Sequence, residues 1–153
     1  MTALKYYEEV EEYIHKYGQL LEKKYQENYI NLSLASLYYS KKDYEKAMQL
    51  VNQYEFKDIL INLSAKTMLL KMYYELSEFK ALESLLESMR AYLQRKKELG
   101  TRTNTFKNTI RYTKKLIKVN PYNKDHVAKL RKEIEEATPL TEKAWLLKQL
   151  DDL

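Results

Sequence analysis

The chain repeats itself 35 residues on: Leu34, Tyr38, Tyr39, Tyr44, Leu50 and Val51 are answered by Leu69, Tyr73, Tyr74, Phe79, Leu85 and Leu86. Every pair is identical or conservatively replaced. A period of this length belongs to helical hairpins that cannot bury an apolar face alone and stack on the next copy. The expectation is an all-α chain of stacked antiparallel hairpins, a class that more often binds macromolecules than performs chemistry. Only two Gly and two Pro among 153 residues leave room for few loops, and short ones. With 32% charged and 44% hydrophobic residues, the chain suits helices apolar on one face and charged on the other.

The periodicity predicts a first helix over residues 3–24, with Tyr7, Val10, Ile14, Tyr17 and Leu21 in one apolar stripe. Gly18 inside it marks close packing or a local break. Residues 27–54 and 58–97 read as two successive hairpins, with helices over 27–41, 44–54, 59–76 and 78–97. Asp43, Asp58 and Ser77 stand where a side-chain oxygen can accept from the first amides of a helix. Phe79, Leu82, Leu85, Leu86, Met89 and Leu93 make the inward stripe of the fifth helix. Gly100 suits a helix C-cap. Residues 101–109 are poor helix formers, which puts the start of the sixth helix near Thr105. That helix runs to Val119, with Phe106, Ile110, Thr113 and Ile117 inward, and stops at Asn120-Pro121. Asn123 opens a seventh helix with Val127, Leu130, Ile134 and Ala137 inward. Thr141 opens a short last one carrying Trp145, Leu146, Leu147 and Leu150. The period fades after about residue 97, so residues 101–153 read as an irregular helical cap on one helical-repeat domain, 1–153, of about eight helices.

Leu34-Ala35-x-x-Tyr38, then Lys42-Asp43-Tyr44-Glu45-Lys46-Ala47, then Val51, resembles the tetratricopeptide repeat. The resemblance covers residues 28–97 and implies a right-handed solenoid of antiparallel hairpins. In the second copy Leu70 replaces Ala35 and Leu82 replaces Ala47, which implies a wider helix spacing there. Residues 25–145, through Tyr73-Tyr74-Glu75-Leu76 and Thr138-Pro139-Leu140-Thr141-Glu142-Lys143-x-Trp145-Leu146-Leu147, look like the C-terminal region of larger uncharacterised helical-repeat proteins. That resemblance implies a fragment of a longer chain. Some repeats of the family grip a terminal carboxylate with Lys and Asn on successive first helices. Of the matching positions Leu32, Ser36, Thr67 and Lys71, only Lys71 is cationic, so that activity does not carry over.

Charge is uneven. Residues 1–90 hold 12 Lys/Arg and 14 Asp/Glu, and residues 91–153 hold 15 and 8. Lys107, Arg111, Lys114 and Lys118 recur at helical spacing and form a candidate basic surface for an anionic partner. Arg95, Lys96 and Lys97 near the end of the fifth helix suit its dipole. Tyr39, Lys71 and Tyr74 are the candidate groove residues, since Tyr joins apolar area to a hydroxyl that tolerates water. Tyr39 is expected to be more open than Tyr38, its neighbour in the core. The first helix carries an apolar stripe with no preceding hairpin to cover it, which leaves it available for self-association.

His15 and His126 have no second His or Cys at ligand spacing, and there is no Gly-rich phosphate loop or nucleophile–His–acid set. No catalytic residue, metal or cofactor is expected. Glu133, Glu135 and Glu136 read as ion-paired surface. Cys is absent, Met1-Thr2-Ala3-Leu4-Lys5 does not open a leader pattern, and no apolar run approaches ~20 residues. A cytoplasmic chain without a membrane span is expected. The leading expectation is a non-enzymatic scaffold for a protein or peptide partner, one of acidic character where the basic stripe is used. Nucleic acid on that stripe is the alternative.

Overall fold

Four helices begin where a short polar side chain accepts from one of their first amides. In the computed structural model, which describes residues 2–53 and 56–153, Thr2 accepts from Lys5 N (3.3 Å) and opens α1, Ala3–Gly18. Asp43 accepts from Lys46 N (3.4 Å) ahead of α3, Tyr44–Gln53. Asp58 accepts from Ile61 N (3.0 Å) ahead of α4, Ile59–Glu75. Asn123 accepts from His126 N (3.2 Å) ahead of α7, Lys124–Glu136. The other helices are α2 (Lys23–Ser40), α5 (Phe79–Arg95), α6 (Thr103–Lys118) and α8 (Lys143–Asp151), with a 3-10 turn at Lys97–Arg102. The described residues are all-helical, without a strand. None of these helices is long and apolar enough to cross a membrane.

The chain divides into two compact units, Met1–Glu78 and Phe79–Leu153. In the first, α2 packs against α1, α3 and α4, and α3 also meets α4. Ile14, Leu34 and Leu37 are buried at the α1–α2 contact, with Tyr7, Val10, Ile30, Tyr38 and Leu50 around them. Helix α4 is apolar on most sides, and Leu63, Ala65, Leu69, Leu70 and Met72 are all buried. In the second unit α6 packs against α5, α7 and α8, and α7 packs against α8. Leu82, Leu86, Met89, Leu116, Ile134 and Leu146 are fully buried there.

The first helix is shorter than its periodicity suggested. It stops at Gly18, and residues 23–24 already belong to α2. A Cβ on Gly18 would stand 2.5 Å from Ile30 Cγ1, so the glycine lets α1 and α2 touch. Gln26 Nε2 donates to the carbonyls of Gln19 (3.1 Å) and Leu21 (2.8 Å), satisfying groups that the break sets free. Leu21 therefore leaves the predicted stripe, and Tyr17 and Leu21 are exposed. Tyr7, Val10 and Ile14, expected to lie uncovered, are covered by α2.

The turn after α2 and the turn after α4 are the same. Lys42 and Ser77 have left-handed backbones, φ 65° and 59°. Asp43 N donates to Tyr38 O (2.9 Å) and Lys42 N to Tyr39 O (3.0 Å); Glu78 N donates to Tyr73 O (2.8 Å) and Ser77 N to Tyr74 O (3.0 Å). This pair of bonds closes a helix C-terminus and ordinarily employs glycine. Ser77 is thus the residue that ends α4 and not the cap of α5, whose preceding position is Glu78. The end expected for the third helix, Tyr54, lies outside the described residues.

Further expectations change in the second unit. Helix α6 starts at Thr103 because its threonines turn their hydroxyls onto backbone carbonyls: Thr103 to Gly100 O (2.9 Å), Thr109 to Thr105 O (3.1 Å) and Thr113 to Thr109 O (2.7 Å). A hydroxyl so occupied can be buried, and Thr109, Tyr112 and Leu116 join Ile110 and Thr113 inward while Phe106 and Ile117 are half-buried. Gly100 sits inside the 3-10 turn at φ 57°, beyond the end of α5 at Arg95. Glu142, not Thr141, precedes α8. Phe79, placed first in the α5 stripe, is 41% exposed.

Candidate functional site

The candidate groove residues stand on the expected helices, Tyr39 on α2 and Lys71 and Tyr74 on α4. Two of them meet: Lys71 Nζ lies 5.3 Å from the centroid of the Tyr39 ring, within cation–π range. That ring stacks on Tyr44 at 5.6 Å and 18°. The Tyr39 hydroxyl donates to Glu75 Oε2 (2.5 Å), while Tyr44 Oη (2.9 Å) and Lys42 Nζ (3.3 Å) donate to Glu75 Oε1. Tyr39 is half-buried, as is Tyr38, so it is as much a pin between helices as a surface group.

The Glu75 side chain is 14% exposed. Burial pushes its carboxyl up, but the donors Tyr39, Tyr44 and Lys42 together outweigh burial and hold it below the usual carboxylate range. Tyr44 is pushed up, first by burial and then by its bond to Glu75. Lys42 is pushed up by its hydrogen bonds to Tyr44 and Glu75. Tyr74 is half-buried, and burial raises its phenol. At neutral pH the patch offers an aromatic face, an ammonium and an ionised carboxylate.

The four basic-stripe residues share one face of α6. Lys107, Arg111 and Lys118 are exposed and Lys114 is half-buried. Lys114 Nζ is 2.6 Å from Glu87 Oε1 on α5, and Arg90 Nε is 3.2 Å from Glu87 Oε2. Lys114 first and Arg90 second hold the Glu87 carboxyl below its ordinary range. Lys107 and Lys118 make no ion pair among the described residues. The Arg111 guanidinium lies 5.7 Å from the Tyr112 ring. Lys115, one position round the helix, is ion-paired with Glu133 on α7. Between α5 and α6, a cleft of about 470 Å³ is lined by Arg90, Leu93, Gln94, Lys107, Ile110, Arg111 and Lys114.

His15 and His126 are both exposed, on α1 and α7. Glu8, Glu11, Glu12 and His15 border a depression of about 440 Å³. Among the described residues no three His, Cys, Asp or Glu side chains are grouped to hold a metal. Glu133 and Glu136 are in ion pairs, with Lys115 and Lys132.

Glu75, Glu87, Arg90 and Gln94 were not singled out in the sequence. For Glu75 a signal was present, since its counterpart one period earlier is Ser40 and a carboxylate has replaced a hydroxyl. The other three join the site through the packing of α5 on α6, which has no linear signature. No family model, curated protein or solved structure matches the chain.

Proposed function

We propose that this chain is a non-enzymatic scaffold that binds another protein, built as a right-handed stack of tetratricopeptide-like hairpins with an irregular helical cap. The observation that carries the reading is the return, one period later, of the same left-handed turn at Lys42 and Ser77. Burial repeats with it: Leu34 and Leu69, Ala47 and Leu82, and Val51 and Leu86 are all buried. An array of this kind presents the faces of its first helices to a partner. Here those faces carry Tyr39, Lys71 and Tyr74.

Selection of displayed random peptides on the immobilised chain tests the reading. Enriched peptides bind the wild type and lose affinity for a Tyr39→Ala/Tyr74→Ala pair that keeps its helical circular dichroism. If the pair unfolds, both tyrosines are core and the groove assignment is wrong. Nucleic acid is the second reading, favoured by Lys107 and Lys118, which make no ion pair among the described residues. It requires a log affinity that falls steeply with log salt, abolished by charge reversal at Lys107, Arg111, Lys114 and Lys118.

A further inference from the structure

We propose that the cleft between α5 and α6 is a docking site for an acidic peptide segment that carries a large apolar side chain. The inference rests on the reading of the chain as a protein-binding scaffold, and adds to it a second site and the chemistry of its occupant.

The cleft lies wholly within the second unit. Its volume of about 470 Å³ falls inside the ~300–1,000 Å³ of pockets that enclose small ligands, enough for one or two side chains and too little for a whole helix. Leu93 and Ile110, 3% and 5% exposed, close the floor. Cations surround it, and the aliphatic stems of Arg and Lys extend apolar surface up the walls.

The four cations are not equivalent. Arg90 and Lys114 share the Glu87 carboxylate, so their charge is partly met. Lys107 and Arg111 have no ion pair among the described residues. Lys107 and Arg111 are therefore the pair that a ligand's carboxylates meet. The surrounding sequence strengthens the field, since residues 91–118 hold nine bases and one acid.

The apolar part of the lining narrows the partner further. A run of carboxylates alone leaves the aliphatic stems of Arg90, Lys107, Arg111 and Lys114 uncovered, whereas an apolar side chain flanked by Asp or Glu packs on those stems while the carboxylates meet the charged heads. Nucleic acid fits less well. No aromatic ring lines the cleft for a base to stack on, and the Glu87 carboxylate stands beside two of the four cations.

Fluorescence anisotropy with three labelled probes tests the proposal: an acidic peptide with a central Leu-Phe pair, an all-Glu peptide of equal charge, and single-stranded oligothymidine. The Leu-Phe peptide is expected to bind roughly tenfold more tightly than the all-Glu peptide, with salt weakening both. A Lys107→Glu/Arg111→Glu pair removes binding by removing charge. Gln94→Trp, at an exposed position on the cleft wall, removes it by filling the space while keeping the charge. Equal binding of the two peptides, tighter binding of oligothymidine, or an unaffected Gln94→Trp variant each overturns the proposal. If this probe fails while selected peptides still depend on Tyr39 and Tyr74, only the cleft assignment falls. If selection yields no Tyr39-dependent peptide while this probe binds as expected, the groove falls and the cleft stands.

Discussion

Lys42 and Ser77 stand 35 residues apart and turn the chain with the same left-handed backbone, φ 65° and 59°, although neither is glycine. An L-residue in this region carries a cost of about 1–2 kcal/mol, part of which glycine removes and part of which its larger unfolded-state entropy returns. Ser77→Gly is expected to stabilise the chain by about 0.5–1 kcal/mol, read as a higher urea midpoint at unchanged slope. Ser77→Val should lower the midpoint, because a β-branched side chain suits that backbone least. Lys42→Gly is the less clean experiment, since it also deletes the ion pair to Glu75.

Glu75→Gln keeps the shape of its side chain and removes the charge that three donors address. A loss of about 1–2 kcal/mol is expected, within the range for hydrogen bonds to charged groups with solvent at the rim. The pH dependence has a definite sign. The folded Glu75 carboxyl is held below its ordinary value, so its stabilisation is present above the unfolded pKa of about 4.3 and drains away as pH falls through the folded value. Acid titration of the urea midpoint should show a shallower fall in Glu75→Gln than in the wild type; identical slopes would remove Glu75 from the acid response.

Gly18→Ala sets helix propensity against space. Alanine favours the helix, but its Cβ would stand 2.5 Å from Ile30 Cγ1 and 2.9 Å from Ile30 Cδ1. Overpacking of this kind costs about 1–3 kcal/mol, more than the roughly 1 kcal/mol that propensity returns. The signature is coupling. Gly18→Ala/Ile30→Ala should cost less than the sum of the two single changes, measured as a double-mutant cycle in urea.

Glu87→Gln frees Lys114 and Arg90 at the cleft wall. With the carboxylate gone, the Leu-Phe acidic probe should bind several-fold more tightly at low salt, and the gain should shrink as salt is added. The urea midpoint should stay where it is, because the ion pairs involved are exposed. A weaker complex would mean that Glu87 positions the two cations more than it neutralises them.

Most of the helical pattern could be read where the relevant chemistry is local. Asp58 and Asn123 are single-residue signals, and the helices they open start where each cap requires. The inward set of α5 from Leu82 to Leu93 follows from spacing alone. The start of α6 could not be read in the same way. Propensity counts Thr103, Thr105 and Thr109 against a helix, whereas Thr103 and Thr109 bond back to Gly100 and Thr105 and can be buried. The site divides similarly. The basic stripe is a property of one helix and was visible, but its neutralisation at Lys114 depends on Glu87 across the α5–α6 contact. Spacing alone reads Tyr39 as an open groove residue, and nothing in its own neighbourhood of sequence reveals that a carboxylate on α4 accepts from its hydroxyl.

The Glu75 carboxylate gathers one donor from α2, one from the first residue of α3 and one from the turn between them. Opening any of these pieces withdraws one donor from a carboxylate that the other two also address. In hydrogen exchange, the amides at the end of α2, the start of α3 and the end of α4 should therefore exchange with one common opening free energy, as a single cooperative block. In Glu75→Gln that block should divide, and the first turn of α3 should exchange ahead of α2 and α4.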